Sequence, residues 1–154
     1  MSESAGSNRL YLDDLHVGQR FTSAVHFLDE TQITTFAEQF DPQPFHMDKQ
    51  AAQQTFFGQL VASGWHTAAI TMRLNAESVP LAGGIVGVGG ELTWSAPTRP
   101  GDILHVESEV VEITPSRSRP DRGTIVLQSR TINQRSEVVQ TLKARLVVPR
   151  RAAA

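Results

Sequence analysis

The sequence predicts an α+β domain in which one long buried helix is covered by a curved antiparallel β-sheet. Three observations lead there. From Asp29 to about Ser78 the residue pattern is helical, and from Ile85 to Val148 it is that of strands. The stretch "SGWHTAAITMRLNAES" is apolar on more than one side, which marks a buried helix. Four β-rich runs then follow, separated by Pro/Gly or polar turns. A helix and a sheet that each bury an apolar surface against the other form a two-layer domain.

Taken in order, "MSESAGSN" (1–8) reads as a frayed tail, and "RFTSAVHFL" supplies a first strand. "DETQITTFAEQF" opens with Asp29 as N-cap and Gln32 three residues later, the capping-box arrangement. Ile33, Phe36, Ala37 and Phe40 fall at helical spacing. Pro42 disfavours the α region at Asp41, so that helix stops there. Asp48 is a cap for "KQAAQQT". Ser63 caps the long helix, whose sixteen residues reach about 24 Å. Trp65, Ala68, Ala69, Met72 and Ala76 make one of its faces, and Ile70 and Leu74 lie on another.

The strands are "GIVGVGGELTW", "DILHVESEVVEIT", "GTIVLQSRTINQ" and "EVVQTLKARLVVP", several of them alternating apolar and polar. The turns "APTRPGD", "PSRSRPDRG" and "NQRSE" make an antiparallel meander natural. "RRAAA" (150–154) reads as a second frayed tail, leaving residues 9–149 as a single domain. Edge strands of such a sheet commonly pair with another subunit, so a homodimer is expected.

Composition removes several function classes. The 154 residues carry a formal net charge of -2 with 19% charged residues, so no field points to nucleic acid or an anionic membrane. Cysteine is absent, which removes disulfides, thiolate catalysis and Cys-based zinc sites and leaves the redox compartment open. No apolar run approaches the ~20 residues of a membrane helix. "MSESAGSN" lacks a basic segment followed by an apolar one, so a cytoplasmic location is expected.

The strongest candidate site is "FDPQPFHMD", Phe40 to Asp48. Pro42 and Pro44 push Asp41 and Gln43 toward extended conformations and make Asp41 to Phe45 a stiff, non-helical connector. Stiffness suits an acid–base pair, and a histidine beside a carboxylate can exchange protons near neutral pH. The same spacing also fits a proline-rich loop in which Asp41 caps the helical turn and His46 packs locally. Spacing does not distinguish the two. "ASGWH" offers a second feature. If Ser63 caps the long helix, the Gly64 N–H is unpaired at the positive end of the helix dipole, and no β-carbon blocks a ligand. Such a group can polarise a carbonyl. Ser-Gly is equally a common way to begin a helix.

Taken together, Phe36 to Leu74, "FAEQFDPQPFHMDKQAAQQTFFGQLVASGWHTAAITMRL", resembles the MaoC-like dehydratases, which include the (R)-specific enoyl-CoA hydratases of the hotdog fold. The family pattern is roughly an Asp, then Asn-Pro, a His, an acid two positions on, and a later His-Gly or Ser-Gly. Asp41, Pro44, His46, Asp48, Ser63 and Gly64 match it. "LTWSAPTRPGDIL" is similar to the family's strand and Arg-Pro-Gly turn, and the resemblance covers most of residues 11–149. One departure is Gln43, where the family usually has Asn.

The resemblance implies reversible addition of water to a trans-2-enoyl thioester of CoA or acyl carrier protein. Asp41 and His46 would be the catalytic pair, and Ser63 and Gly64 would bind the substrate carbonyl. No metal or other cofactor is implied, and neither nucleic acid nor membrane is a partner. A homodimer or a dimer of dimers is the implied assembly.

Other readings compete. A hotdog thioesterase typically places a carboxylate on or near the central helix, where Glu77, near the far end, is the only acid. A non-catalytic acyl-thioester-binding module is left open by Gln43. A serine hydrolase through Ser63 and His66 lacks the flanking glycines, since Val61 and Trp65 stand there. A non-haem iron site could use His46 and Asp48 with His105. "GGIVGVGG" (83–90) lacks a P-loop Lys-Ser/Thr and a following helix, so its glycines more naturally let a strand bend or pass close to the buried helix. Arg117, Arg119 and Arg122 read as a solvated hairpin or as contacts to CoA phosphates. Phe45 and Trp65 are candidates for an acyl pocket or for the core.

Overall fold

The computed structural model describes residues 9–152. The antiparallel sheet contains β1 (Arg20–Thr22), β2 (His26–Phe27), β3 (Val86–Trp94), β4 (Ile103–Pro115), β5 (Arg122–Ile132) and β6 (Val138–Pro149). Its order is β1-β4-β5-β6-β3, with β2 also pairing with β4. β4, β5 and β6 form the expected meander, but β3 does not join it through the "APTRPGD" turn: it crosses over and pairs with β6 as the far edge strand. Register shifts at β3, β4 and β6 mark bulges, which bend strands and increase twist. They curl the sheet around the helix.

The helices precede most of the sheet: α1 (Glu30–Phe40), the short α2 (Pro44–Met47) and α3 (Lys49–Ala52), then α4 (Gly64–Ser78). Asp29 caps α1 by accepting from the Gln32 N–H at 2.9 Å. The reciprocal half of the capping box is missing, because the Gln32 side chain bonds the Phe27 carbonyl and His26 instead. α1 stops at Asp41, as Pro42 requires. The stiff connector is shorter than expected. Pro44 starts α2, so Phe45 and His46 are helical. A proline at the first helical position keeps its fixed φ and loses no hydrogen bond there.

The long helix differs from expectation in what it buries. Its sheet-facing side carries Thr67, Thr71 and Asn75 as well as Ile70 and Leu74, all buried. The face of Trp65, Ala69, Met72 and Ala76 points away from the sheet, with Trp65 62% exposed. One sheet covers only one side of one helix, so in the single chain the second apolar stripe stays bare. The helix is also bounded by two separate apolar clusters. One gathers Leu28, Ile33, Leu60, Ile70, Leu74 and Leu104, and the other gathers Leu12, Val79, Leu81, Ile125 and Leu146.

Neutral hydrogen bonds attach the helix to the sheet. Thr67 donates to Thr98, in the connection from β3 to β4, at 3.2 Å. Thr71 meets the Gln140 amide at 3.0 Å and the Thr131 hydroxyl at 2.5 Å. Asn75 donates to Ser129 at 2.9 Å and accepts from Ser108 at 3.0 Å. Buried polar groups cost stability unless bonded, and none of these side chains has a buried polar atom without a partner.

The β3 glycines have a different neighbour from the one expected. A Cβ on Gly90 would overlap the Lys143 carbonyl of β6, so the tight approach is strand to strand rather than strand to helix. Past β6, Arg151 forms two bonds with the Asp14 carboxylate, at 2.8 and 3.2 Å. Residues 1–8 and 153–154, parts of the expected tails, lie outside the described residues.

Candidate active site

Three elements bring the candidate residues together. The end of α1 presents Asp41, α2 presents His46, and the start of α4 presents Ser63 and Gly64. The backbone turns sharply between the first two: the Gln43 N–H bonds the Asp41 carbonyl at 2.7 Å, and the His46 N–H bonds the Gln43 carbonyl at 2.9 Å. This turn folds His46 back beside Asp41, with Nε2 3.4 Å from Asp41 Oδ2. Both side chains are largely buried.

Asp41 does not cap the turn that follows it. Its Oδ2 accepts from the Ser63 hydroxyl and its Oδ1 from the Gln43 amide, each at 2.7 Å. Burial alone would raise its pKa. The Ser63 and Gln43 hydrogen bonds and the nearby His46 together outweigh that effect and hold the carboxyl below its ordinary value. His46 bonds the Val61 carbonyl through Nδ1 at 2.6 Å. That acceptor requires the proton on Nδ1, which leaves Nε2 facing Asp41 as a lone pair in the neutral ring.

Ser63 is fully buried and serves two groups. Its Oγ accepts from the Trp65 N–H at 3.2 Å as the N-cap while its hydroxyl donates to Asp41. The Gly64 N–H has no acceptor among the described residues, as the first-turn position predicts. Beside it is a cavity of about 360 Å³ whose wall includes Phe45, His46, Phe57, Gly64, Trp94 and Thr98. A carboxylate–imidazole pair, a free N–H and an apolar pocket therefore meet at one helix end. The arrangement can hold a water between two acceptors and a carbonyl oxygen on a donor.

The other candidates do not join this cluster. Asp48 caps α3 through the Gln50 N–H, and His105 pairs with Glu107 at 3.1 Å. Among the described residues no three His, Asp or Glu side chains are placed to share a metal ion. Glu77 pairs with Arg73 on the exposed side of α4, near its far end. His66 stacks flat on Phe36 at 4.5 Å with a buried, unpartnered Nδ1. Burial first and the charge of His26 second push its pKa down to about 4, so it is neutral near pH 7. Arg117, Arg119 and Arg122 lie in and beside the β4–β5 turn, and Arg122 pairs with Asp121. Gly123, next to them, is about 26 Å along β5 from Thr131, beneath the helix. Phe45 lines the pocket, whereas Trp65 lies outside it on the bare face of α4.

Sequence reasoning missed Trp94, Phe57 and Thr98 as pocket residues. Trp94 ends β3, and a single large apolar residue at a strand end carries no signal of which cavity it will border. It also missed the contact of Gln43 with Asp41, because an extended Gln43 could have pointed anywhere.

Residues 14–131 match the family of MaoC-like domains, well over half of the chain. The chain belongs to the MaoC-like family. A crystal structure of a MaoC-like dehydratase from Rhodospirillum rubrum is 59% identical, with a TM-score of 0.91 over 94% of this chain and 99% of that one. An unliganded (R)-hydratase from Pseudomonas aeruginosa superposes at a TM-score of 0.76 with 27% identity, over 93% of this chain and 88% of that one. A 3-hydroxybutyryl-CoA dehydratase from Methylorubrum extorquens is 33% identical over 71% of this chain and 69% of its own length. The expected hotdog fold holds for this MaoC-like chain: a central helix wrapped by an antiparallel sheet. No helix among the described residues is long and apolar enough to cross a membrane.

Proposed function

We propose that this MaoC-like chain catalyses reversible hydration of trans-2-enoyl thioesters, with an acyl-CoA or acyl-carrier-protein thioester as substrate. One observation carries the reading. Two proton acceptors, Asp41 Oδ2 and His46 Nε2, lie 3.4 Å apart beside a pocket that also exposes the free Gly64 N–H. The names of the relatives, a hydroxybutyryl-CoA dehydratase and an (R)-hydratase, support the same chemistry.

In this reading one water donates a hydrogen bond to each of Asp41 and His46, and its free lone pair attacks C3. The π electrons of the C2–C3 bond move through C2 onto the thioester oxygen, where the Gly64 N–H and the helix dipole stabilise the negative charge. His46 Nε2 takes the water's proton as the C3–O bond forms. Asp41 already accepts from Ser63 and Gln43, so it is the poorer base, and its charge stabilises the imidazolium beside it. Nε2 then returns the proton to C2. The water thus supplies both the hydroxyl and the new C–H, delivered from one face. Dehydration runs these steps backwards.

The reading includes a homodimer. The bare stripe of Trp65, Ala69 and Met72 and the free edge of β3 are surfaces that a second copy would cover.

The test follows enoyl absorbance for a panel of trans-2-enoyl-CoA esters, with Asp41→Asn and His46→Ala alongside. Turnover by the wild type with loss in both variants is the expected result. Full activity in both variants would refute the site. Release of free thiol would identify a thioesterase, and binding without turnover would identify a non-catalytic module.

A further inference from the structure

We infer that Trp94 sets the acyl specificity of this site and that Gln140 is the residue positioning it, an inference that rests on the enoyl-thioester reading above. Trp94 lies directly on the first turn of α4. A Cβ added to Gly64 would meet three atoms of the indole at 2.5 to 2.8 Å, so the ring closes the space beside this glycine. Its Nε1–H points at two acceptors, the Gly64 carbonyl at 3.1 Å and Gln140 Oε1 at 2.9 Å. The same ring borders the cavity that contains His46 and Thr98. An acyl group whose carbonyl oxygen is held by the Gly64 N–H therefore has the indole as its neighbour. The ring limits how much chain or branching fits there, so the wild type favours short, unbranched acyl groups.

Gln140 fixes the ring's direction. It is fully buried in β6, in register with Trp94 on one side and Thr131 on the other. Its amide orientation follows from its neighbours. The indole only donates, so it must face Oε1, and Nε2 then donates to Thr71 Oγ1 at 3.0 Å. Thr71 in turn donates to the Thr67 carbonyl at 2.8 Å, inside α4. The chain Thr71–Gln140–Trp94–Gly64 thus links the middle of α4 to its first turn by way of the sheet. An apolar residue of similar shape would fill the same space without demanding partners, so the amide's distinct contribution is the directed bond to the indole.

The experiment measures two ratios of trans-2-octenoyl-CoA to crotonyl-CoA: kcat/KM from turnover, and affinity for the saturated octanoyl and butyryl analogues by calorimetry. In Trp94→Ala both ratios rise at least about tenfold, because the ring's volume is removed. Trp94→Leu replaces it with the same expected direction if the alanine variant fails to fold. Gln140→Met raises the ratios by a smaller factor and, in a Trp65→Phe background, shifts the emission of Trp94. The same Gln140 change made on Trp94→Phe leaves the ratios unmoved, since the indole N–H it acts through is gone. Unchanged ratios in Trp94→Ala and Trp94→Leu overturn the specificity role. An equal Gln140→Met effect with and without the indole overturns the positioning role. If the wild type binds analogues without hydrating enoyl esters, a moved affinity ratio sustains this inference while the hydratase reading falls. Binding of no acyl-CoA at all ends both.

Discussion

Two polar clusters, largely buried except for Gln43, meet α4, and they differ in one respect. The cluster at its first turn (Asp41, Gln43, His46, Ser63) includes two titratable groups and adjoins a cavity and a free N–H. The cluster along its middle (Thr71, Asn75, Ser108, Ser129, Thr131, Gln140) holds only hydroxyls and amides, all of them bonded to one another or to backbone. A neutral, satisfied network has no proton to exchange, but its directional bonds fix where the helix sits. In the proposed reading the first cluster does the chemistry and the second sets position. Each should therefore fail in its own way when broken.

The largest effect belongs to the first cluster. His46→Ala removes the proposed base, and Asp41→Asn removes the charge that stabilises its protonated form. Each should lower kcat/KM by a factor of about 10² to 10⁴ on the best enoyl-CoA. The cost in stability should be far smaller than the cost in rate. His46→Ala leaves the buried Val61 carbonyl without its ring N–H, so its thermal midpoint should fall by roughly 2–6 °C. Asp41→Asn keeps the side chain's shape and should stay within roughly 4 °C of wild type. A collapse in stability equal to the loss in activity would merge the two clusters into one structural unit.

The second cluster should show the converse. Asn75→Ala strands Ser108 and Ser129 in the interior with only each other as partner. About 2 kcal/mol of unfolding free energy should be lost, read from urea denaturation at constant m-value. Turnover of the folded variant should remain within about threefold of wild type, since Asn75 lies about three helical turns from Gly64. A loss of activity comparable to His46→Ala would mean that the middle of the helix takes part in the chemistry.

This division explains what could be read in advance. Caps and stops are local, so Asp29, Asp48, Ser63 and the Pro42 break were legible from a few neighbouring residues. The strands were legible from alternation, and the candidate site from a short motif matched to a family pattern. The faces of α4 were not. Ile70 and Leu74 were apolar and did turn inward, but Trp65 and Met72 were equally apolar and turned out. The polar side chains that replaced them inside, Thr71 and Asn75, are buried only because Ser129, Thr131 and Gln140 arrive from strands more than fifty residues later. No local pattern carries that pairing. Trp94 was hidden for the same reason, since its contact with Gly64 spans thirty residues.

Ser63 belongs to both behaviours and should show both, each reduced. Ser63→Ala removes an N-cap acceptor, which costs about 1 kcal/mol of stability. It also removes a donor from Asp41, which should lower kcat about tenfold. Ser63→Thr keeps the hydroxyl and should restore the larger part of each. Loss of only one property in Ser63→Ala would show that the shared hydroxyl serves a single cluster.

The smallest effect is expected at Gln43, where this chain departs from the family's usual asparagine. Its side chain is exposed, and its amide donates to Asp41 Oδ1 at 2.7 Å, the carboxylate oxygen other than the Oδ2 that faces His46. Gln43→Ala removes one of the two hydrogen bonds that hold the Asp41 carboxyl below its ordinary value near 3.8, so that value should move up. A carboxylate with a depressed value contributes stability above its unfolded-state pKa, and that contribution is lost as pH falls through the folded one. The variant should therefore lose it at a higher pH than wild type does. At neutral pH Asp41 stays ionised in both proteins, so kcat should fall only about twofold to fivefold. A ¹³C titration of the Asp41 carboxyl, read beside the acid limb of kcat/KM, measures the shift directly. Gln43→Asn should fall between Gln43→Ala and wild type if the longer side chain makes up for the different turn. Identical titrations in all three proteins would leave Ser63 as the residue that keeps the carboxyl ionised, and the site cluster would shrink to Asp41, His46 and Ser63.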